Sequence, residues 1–423
     1  MEKAVWSGVH QRYGLIKEPS EVRILRLVRD RGEISRIEIA EVTNLHKASI
    51  TDHVAKLMKA GFLEETGKVE SGKKVGRRRV LLRFRPEAGL VAGVDIRMTS
   101  AVVALTDLDA RILKEESFQY AVETSAEEVL TKVAATIQRL LTVTKNAQSR
   151  LLGIGIGVQG VIDHATNVLV VSHNKRAWQG QSLSALLESK FGVPVYVEND
   201  VKTMTLGEYL LGASKGKRDS VLIWVGTGLG AGIMINGHLH HGVTSSAGEI
   251  GYNGFELSAV EKEKFRLTYR DQQMFGEILT DENFIESYRR GSAVREESLT
   301  VTTIARKAKD GDEVAIQIVE EFASILSILC INIVNTLNPE VIVLGGELVQ
   351  GYPGIAEVLE ERIHQDLLMP PAEAVRVRPA KHGDRGVILG AVGLVLYELF
   401  EPLHGVSVRG TRRQSILEAG EES

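Results

Sequence analysis

Glu198-Asn199-Asp200, Glu249-Ile250-Gly251 and Asn174 are the groups in this chain best suited to chemistry on hydroxyls. The first triplet follows the apolar run Val193 to Val197, and Glu249 follows a loop of small residues, Ser245-Ser246-Ala247-Gly248. Carboxylates and an amide at strand ends can make paired hydrogen bonds to vicinal hydroxyls, and an aspartate so placed can serve as general base towards one of them. Trp178, four residues beyond Asn174, adds an aromatic plate of the kind that lies against the C–H face of a sugar. Singly, each residue is explained as well by turn capping or solvation. Their joint order points to a polyhydroxylated ligand. A second string, Val225-Gly226-Thr227-Gly228-Leu229-Gly230-Ala231-Gly232, spaces glycines as phosphate-binding loops do, so that backbone N–H groups can approach an anion. A glycine hairpin turn produces the same string.

A different chemistry lies nearer the N-terminus. Ser35-Arg36-Ile37-Glu38 has the Ser-x-x-Glu form of a capping box. The spacing predicts a short helix over Ile37 to Val42, a turn at Thr43-Asn44-Leu45, and a second helix from Lys47 to Ala60 with Ile50, Val54, Leu57 and Met58 on one face. Gly61 stands where a helix end needs positive φ. Lys47, Ser49, Thr51 and Asp52 fall on the opposite face, able to reach base edges, and Lys73-Lys74-Val75-Gly76-Arg77-Arg78-Arg79 follows as a basic wing or strap. Met1 to Pro86 holds 19 Lys+Arg against 11 Asp+Glu, a formal charge of +8 that leaves −12 for the rest of a chain of net charge −4. A basic module on an acidic body fits attraction to phosphates at one end. The alternative is a solvated charge run on a small helical adaptor.

With 423 residues, 43% hydrophobic and 25% charged, the chain reads as a globular protein of two or three domains. Its single cysteine, Cys330, excludes an internal disulfide and sits in the apolar run Phe322 to Val334, where a packed thiol is expected. No apolar stretch is expected to span a membrane, and Met1 to Ser20 lacks the apolar core of a secretion signal, so the cytoplasm is the expected compartment. After Pro86 the texture becomes glycine-punctuated strands. Strands are predicted over 90–96, 101–105, 112–120, 151–158, 193–197, 220–225, 231–235 and 341–344. Helices are predicted over 125–144, 313–337 and 390–400. The repeated order suggests two stacked α/β lobes with a cleft between them. The domains expected are 1–86, 87–200 completed by 387–400, 201–386, and a polar tail 401–423 whose last residues, 410–423, read as disordered.

Together these stretches resemble the ROK family of sugar-responsive repressors and sugar kinases. The resemblance runs from Glu21 to Phe400 and rests on Gly155-Ile156-Gly157-Val158-Gln159-Gly160, Asn174 to Trp178, Glu198-Asn199-Asp200, the Gly226 to Gly232 loop, Glu249-Ile250-Gly251 and Leu344-Gly345-Gly346. It implies an N-terminal all-α winged helix-turn-helix on a two-lobed α/β actin/hexokinase-like body. It also implies that Asn199, Asp200 and Glu249 bind sugar hydroxyls, with Asp200 at the position of the kinases' catalytic base. The head marks the repressor branch, similar to repressors of xylose operons.

Two departures separate this chain from the kinases. The family's first phosphate loop has the form Asp-x-Gly-Gly-Thr, whereas here it reads Asp95-Ile96-Arg97-Met98-Thr99, with bulky side chains where a phosphate needs room. ATP is therefore not expected, and Gly226, Thr227, Gly228 and Gly230 read as a vestigial nucleotide loop. The family's Glu-x-Gly-His with its zinc-binding cysteines is also missing. Tyr252 takes the histidine position, and no Cys or His lies between Tyr252 and Cys330, so no structural zinc is expected. Tyr252 either offers its hydroxyl to the sugar or packs in the core, and Glu261 to Arg290 is expected to fill the space by helix packing. The expected function is repression of sugar-utilisation genes by a homodimer or higher homo-oligomer. Its partners would be a double-stranded DNA operator and a small sugar in the interlobe cleft, favoured to be xylose- or glucose-type, with no membrane. The alternatives are an ATP-dependent sugar kinase with an attached DNA-binding head, and a DNA-binding protein whose cleft holds no ligand.

Overall fold

The computed structural model describes residues 19–69, 79–144, 151–163, 166–172, 175–292, 298–366 and 375–400. Asn174, Lys73, Lys74, Arg77, Arg78, the side chain of Arg79 and the tail beyond Phe400 lie outside the described residues.

The head runs α1 (Pro19–Arg31), β1 (Glu33–Ser35), α2 (Arg36–Thr43), α3 (Lys47–Lys59), β2 (Leu63–Val69) and β3 (Arg79–Phe84). The helices form the helix-turn-helix, and the wing adds a three-stranded antiparallel sheet in the order β1-β3-β2. Ser35 caps α2 with the full reciprocal capping box, and Asn44 ends it in the left-handed conformation. Gly61, at φ +84°, turns the chain out of α3 into the wing. Val22, Ile24, Leu25 and Val28 of α1 and Ile50, Val54 and Leu57 of α3 are buried. Beneath them Glu21 is buried within reach of His53 Nδ1 (3.4 Å) and Lys56 Nζ (3.3 Å), a polar tie between α1 and α3.

The body continues β4 (Leu90–Ile96), β5 (Ser100–Thr106), β6 (Ile112–Gln119), α4 (Ala126–Val143), β7 (Leu151–Val158), β8 (Val161–Asp163), β9 (Val168–Val171), α5 (Ala185–Phe191), β10 (Val195–Asn199) and α6 (Asp200–Leu211). Next come β11 (Ser220–Val225), β12 (Leu229–Ile235), β13 (His238–Leu239), α7 (Ala259–Lys264), α8 (Phe275–Ile278), α9 (Asp281–Gly291), α10 (Val301–Lys309) and α11 (Glu313–Leu337). Last are β14 (Val341–Gly345), α12 (Glu347–Gly351), α13 (Ile355–Asp366), β15 (Arg376–Pro379) and α14 (Gly386–Phe400). The chain forms two compact units, Met1–Glu198 with Ala391–Ser423, and Asn199–Gly390. Each contains one five-stranded sheet, β6-β5-β4-β7-β10 in the first and β13-β12-β11-β14-β15 in the second. In each, a strand is flanked by its antiparallel hairpin partner on one side and a parallel strand on the other. This is the repeat that the glycine-punctuated order predicts.

Two element boundaries and one expectation about apolar length differ from the sequence reading. β10 starts at Val195 and carries Asn199, because Pro194 just before it has no N–H for the ladder. α14 begins four residues before the expected start, at Gly386. The expectation that no apolar stretch is long enough to span a membrane is corrected by α11, whose 25 residues pass that test of length and composition. α11 is a core helix: Ala315, Ile318, Phe322, Ile325, Leu329 and Cys330 are all buried in the second unit. Burial pushes the Cys330 thiol up to about 12, so it stays protonated and inert.

Within the second unit α14 meets α6 backbone to backbone. Gly207 of α6 lies against Gly390 and Gly386, and a Cβ on Gly390 would fall inside the carbonyl oxygen of Thr203. In the first unit, Ala391 of α14 packs in the same way on Gly155 of β7. Gly390→Ala should cost at least about 2 kcal/mol through overpacking. Gly228→Ala, where an added Cβ meets nothing within 4 Å, should stay within about 0.5 kcal/mol of the parent. Urea midpoints read both. A Gly390→Ala protein as stable as the parent would contradict the close crossing.

Candidate functional site

On the head, the four residues predicted to meet DNA share one surface. Lys47, Ser49, Thr51 and Asp52 are all exposed, while Ile50, Val54 and Leu57 of the same helix are buried and Met58 half-buried. His46, which nothing in its spacing singled out, caps α3 by accepting from the Ala48 N–H at 3.4 Å. Thr51 Oγ1 donates to Lys47 O at 3.0 Å, keeping its methyl and lone pairs close to the helix. The resulting face combines an ammonium, two hydroxyls and a carboxylate, an inventory that reads base edges and phosphates in a major groove.

On the second unit, the candidate hydroxyl-binding groups lie at the start of α6 and on the loop after β13. Asn199 is the N-cap of α6, its Oδ1 accepting from the Lys202 N–H at 3.1 Å, and Asp200 Oδ1 accepts from the Val201 N–H at 2.9 Å. These caps hold both side chains at the helix N-terminus, where the helix dipole favours negative charge. Glu198, by contrast, is buried. α6 packs on β12 through Val201 against Gly230, where a Cβ would be tight, and Thr205 against Gly232, where one would collide. The Glu249 loop is sewn to the same strand by Ala231 N to Gly248 O at 2.8 Å. It is tied to α6 by Lys202 Nζ, which donates to Ser245 O at 2.6 Å from a buried position. Lys202 thus brings the Asp200 helix and the Glu249 loop together, a role that no sequence pattern announced. Glu249 is exposed, and Tyr252 is 60% exposed, so Tyr252 is not a core residue.

In the first unit one expectation is overturned. Trp178 offers no plate to a ligand, because it is 1% exposed and its Nε1 donates to Thr124 O at 2.9 Å. One face is covered by the Lys175 ammonium, 4.1 Å from the ring centroid, and the ring stacks on Tyr120 at 6.4 Å. The tryptophan is consumed by packing. Lys175 itself is buried, donates to Met98 O and to Tyr120 Oη at 3.0 Å each, and is pushed down to about 8 by desolvation. Tyr120 in turn donates to Arg97 O. Arg97 Nε donates to Asp95 Oδ2 at 2.7 Å, so the tip of the β4–β5 hairpin is neutralised and tied down by its own side chains.

The glycine loop of the second unit is the turn of the β11–β12 hairpin, with Val225 paired to Leu229. Gly226 already spends its N–H on Gly228 O (3.0 Å), and its carbonyl accepts from Asp281 N (2.9 Å). The Asp281 carboxylate therefore sits beside the turn. Desolvation, with the Glu347 charge added, raises it to about 6. In the zinc region, Glu321 is buried and accepts from Thr268 N and Oγ1 at 2.9 Å each, fastening the segment after Phe265 to α11. Phe265 and Phe275 are buried, and Phe255 stacks on Phe275 at 4.5 Å. Among the described residues no cluster of three or more His, Cys, Asp or Glu could hold a metal ion. The donors here do not fit zinc.

Sequence comparison places these features in a family. The ROK family model matches residues 91–398 and the MarR family model residues 17–75. The first spans well over half of the chain, and the protein belongs to the ROK family. Its relatives include the xylose repressor of Caldicellulosiruptor bescii, 27% identical over 91% of this chain and 97% of its own length, and the xylose repressor of Bacillus subtilis, 25% identical over 90% and 96%. The DNA-binding transcriptional repressor Mlc of Escherichia coli is 26% identical over 89% and 92%. A crystallised ROK family transcriptional regulator, a homologue of the E. coli protein, shares the fold with a TM-score of 0.76 at 22% identity, covering 91% of this chain and 97% of that one. A ROK family glucokinase from Streptomyces griseus, also 22% identical, has a TM-score of 0.59 and covers 72% of this chain and 99% of the enzyme.

The Asp281 carboxyl gives a pH signature. With a folded value of about 6 against 3.8 for the unfolded chain, its contribution is fully present below about pH 4 and lost as pH rises through 6. Asp281→Asn should therefore melt above the parent at pH 8, and the gap should close by pH 4. Identical melting curves across that range would refute the buried-charge assignment.

Proposed function

We propose that this protein is a sugar-responsive transcriptional repressor and not a sugar kinase. The exposed row Lys47, Ser49, Thr51 and Asp52, opposite the buried stripe of α3, carries the reading. It is a recognition surface on a head that the kinases matched in structure do not extend to cover. Asn199, Asp200 and Glu249 hold the sugar hydroxyls from the start of α6 and the loop fastened to it by Lys202, and Tyr252 borders them. Asn174 completes the set. The basic wing residues Lys73, Lys74, Arg77, Arg78 and Arg79 contact phosphates or an adjacent minor groove.

Nucleotide has no role in this reading. The Arg97–Asp95 pair and the Asp281 carboxylate occupy the environments where phosphates would need room and positive potential, and phosphoryl transfer depends on their exact placement. Zinc has none either, since Glu321 and aromatic packing hold the region where the family's cysteines would lie. The chain acts as a homodimer on a pseudo-palindromic operator, and the effector is a xylose- or glucose-type sugar. The sugar acts by binding one conformational state more tightly than the other, which changes operator affinity by at most that ratio, and operator changes sugar affinity by the same coupling factor.

Two measurements test this. Binding to a duplex selected by the wild-type protein from a randomised pool should weaken steeply with salt, with a log–log slope of about −7 to −9 if roughly 8 to 10 phosphates are contacted per dimer. A slope shallower than about −2 would exclude the DNA-binding role. In a thermal-shift panel of xylose, glucose and N-acetylglucosamine at tens of millimolar, one sugar should raise the melting temperature and ATP–Mg²⁺ should not. Asp200→Asn should weaken that sugar roughly 10- to 100-fold, the cost of losing a charged hydrogen-bond acceptor. Sugar-dependent ADP release that disappears in Asp200→Asn would replace this reading with the kinase.

A further inference from the structure

α14 is one continuous helix that touches α6 at its first turn and the winged head at its last residue. At the sugar end, Asn199 O accepts from Thr203 Oγ1 at 2.7 Å, one helical turn into α6. The Thr203 carbonyl and Gly207 lie directly against Gly390, with no side chain between the backbones. A displacement of α6 of a few tenths of an ångström has no soft side chain to absorb it, because backbones in van der Waals contact move together.

From Gly390 the helix runs ten residues further to Phe400, about 15 Å at the helical rise. The boundary between the two compact units falls within it, after Gly390. Its second half belongs to the unit that contains the head. Ala391 lies on Gly155 and Val395 on Gly153, and Ala391, Val392, Val395, Leu396 and Phe400 are all buried.

At the far end Phe400 meets the head itself. Its ring packs edge-on against Phe84, the last residue of the wing, with centroids 5.8 Å apart. The Arg29 guanidinium of α1 lies 4.6 Å from the Phe400 centroid, and its Nε is 3.2 Å from Asp109 Oδ1 in the β5–β6 turn. Leu108 of that turn, fully buried, donates its N–H to Pro86 O at 3.1 Å. Phe400 and Arg29 thus join one head helix and the wing to the end of α14 and to the first sheet.

We propose that α14 is the transmission element of the repressor, and that the Phe400–Phe84–Arg29 joint is where a state selected at the start of α6 becomes a change in the disposition of the head. This rests on the sugar-responsive reading above and names the residues that couple the two sites without touching either ligand. With backbone-to-backbone contact at one end and an aromatic clamp at the other, the helix is tightly fitted at both ends, as a coupling element between two states requires.

The test is a coupling measurement on the full-length protein. The dissociation constant for the selected duplex is measured with and without the sugar that shifts the melting temperature, xylose or glucose, in the parent, Phe400→Ala and Arg29→Ala. The expected result is that each variant binds sugar and sugar-free DNA within about threefold of the parent. The ratio of the two DNA constants falls at least fivefold towards one. Because Phe400→Ala could loosen the head, Arg29→Ala, which removes the cation over the ring and one half-exposed ion pair but leaves the ring itself in place, carries the proposal independently. A ratio preserved in Arg29→Ala, whether or not overall affinity drops, overturns it, since the joint would then be scaffold only. A parent ratio of one with every sugar would refute the sugar-responsive reading first, before any variant is made, and would take this proposal with it.

Discussion

Much of this molecule is arranged around one steric constraint, the passage of α14 against α6 with no side-chain volume between them. Gly207, Gly386 and Gly390 let two helical backbones touch, and Gly155 repeats the arrangement under Ala391. Close backbone approach fixes helices more tightly than interdigitated leucines do, because there are no rotamers to repack. The start of α6, where Asn199 and Asp200 are held as cap and first residue, is therefore positioned by contacts more than a turn away. So is Phe400, against which the winged head rests.

The candidate sugar groups illustrate how one residue serves structure and ligand together. Asn199 caps α6 through its carbonyl oxygen, and Lys202, one turn on, is buried to hold the Ser245 carbonyl. A buried ammonium is costly unless it is fully hydrogen-bonded, so its placement ties the Glu249 loop to α6 with little freedom to slip. Other polar groups of each unit are committed to partners within their own unit. Arg97 is committed to Asp95, Lys175 to Met98 O and Tyr120, and Gly226 to its own hairpin. The same fold is found in a crystallised transcriptional regulator and in a glucokinase, so fold alone does not assign a role.

The segment from Phe255 to Asn283 is held to α11 by ordinary core chemistry. Glu321 takes two hydrogen bonds from Thr268, Asn283 Nδ2 donates to Thr268 O at 3.1 Å and to Ile278 O at 2.9 Å, and stacked phenylalanines fill the remaining volume. A satisfied buried carboxylate and aromatic packing together order this segment.

Local signals were legible wherever the physics is local. The Ser35–Glu38 capping box, the left-handed residue ending α3, the buried stripe of Ile50, Val54 and Leu57, and the twin series of hairpins follow from capping geometry and periodicity, and all were readable in the chain. So were Arg97, Met98 and Tyr252, the residues on which the resemblance to the kinases departs. Trp178 was misread, because spacing cannot tell an aromatic plate facing a ligand from one covered by Lys175 and Tyr120. Lys175, Lys202, Glu321 and the Phe400 clamp were invisible for the same reason: their partners lie 43 to 77 residues away in the case of Ser245, Thr268 and Met98, and much further for Arg29 and Phe84. The amino-acid order alone determined the elements, the charge division between head and body, and which residue types are available. Only the tertiary structure decided which of those groups remain exposed and which are consumed in packing, because burial and long-range hydrogen bonding are properties of neighbours brought together by folding.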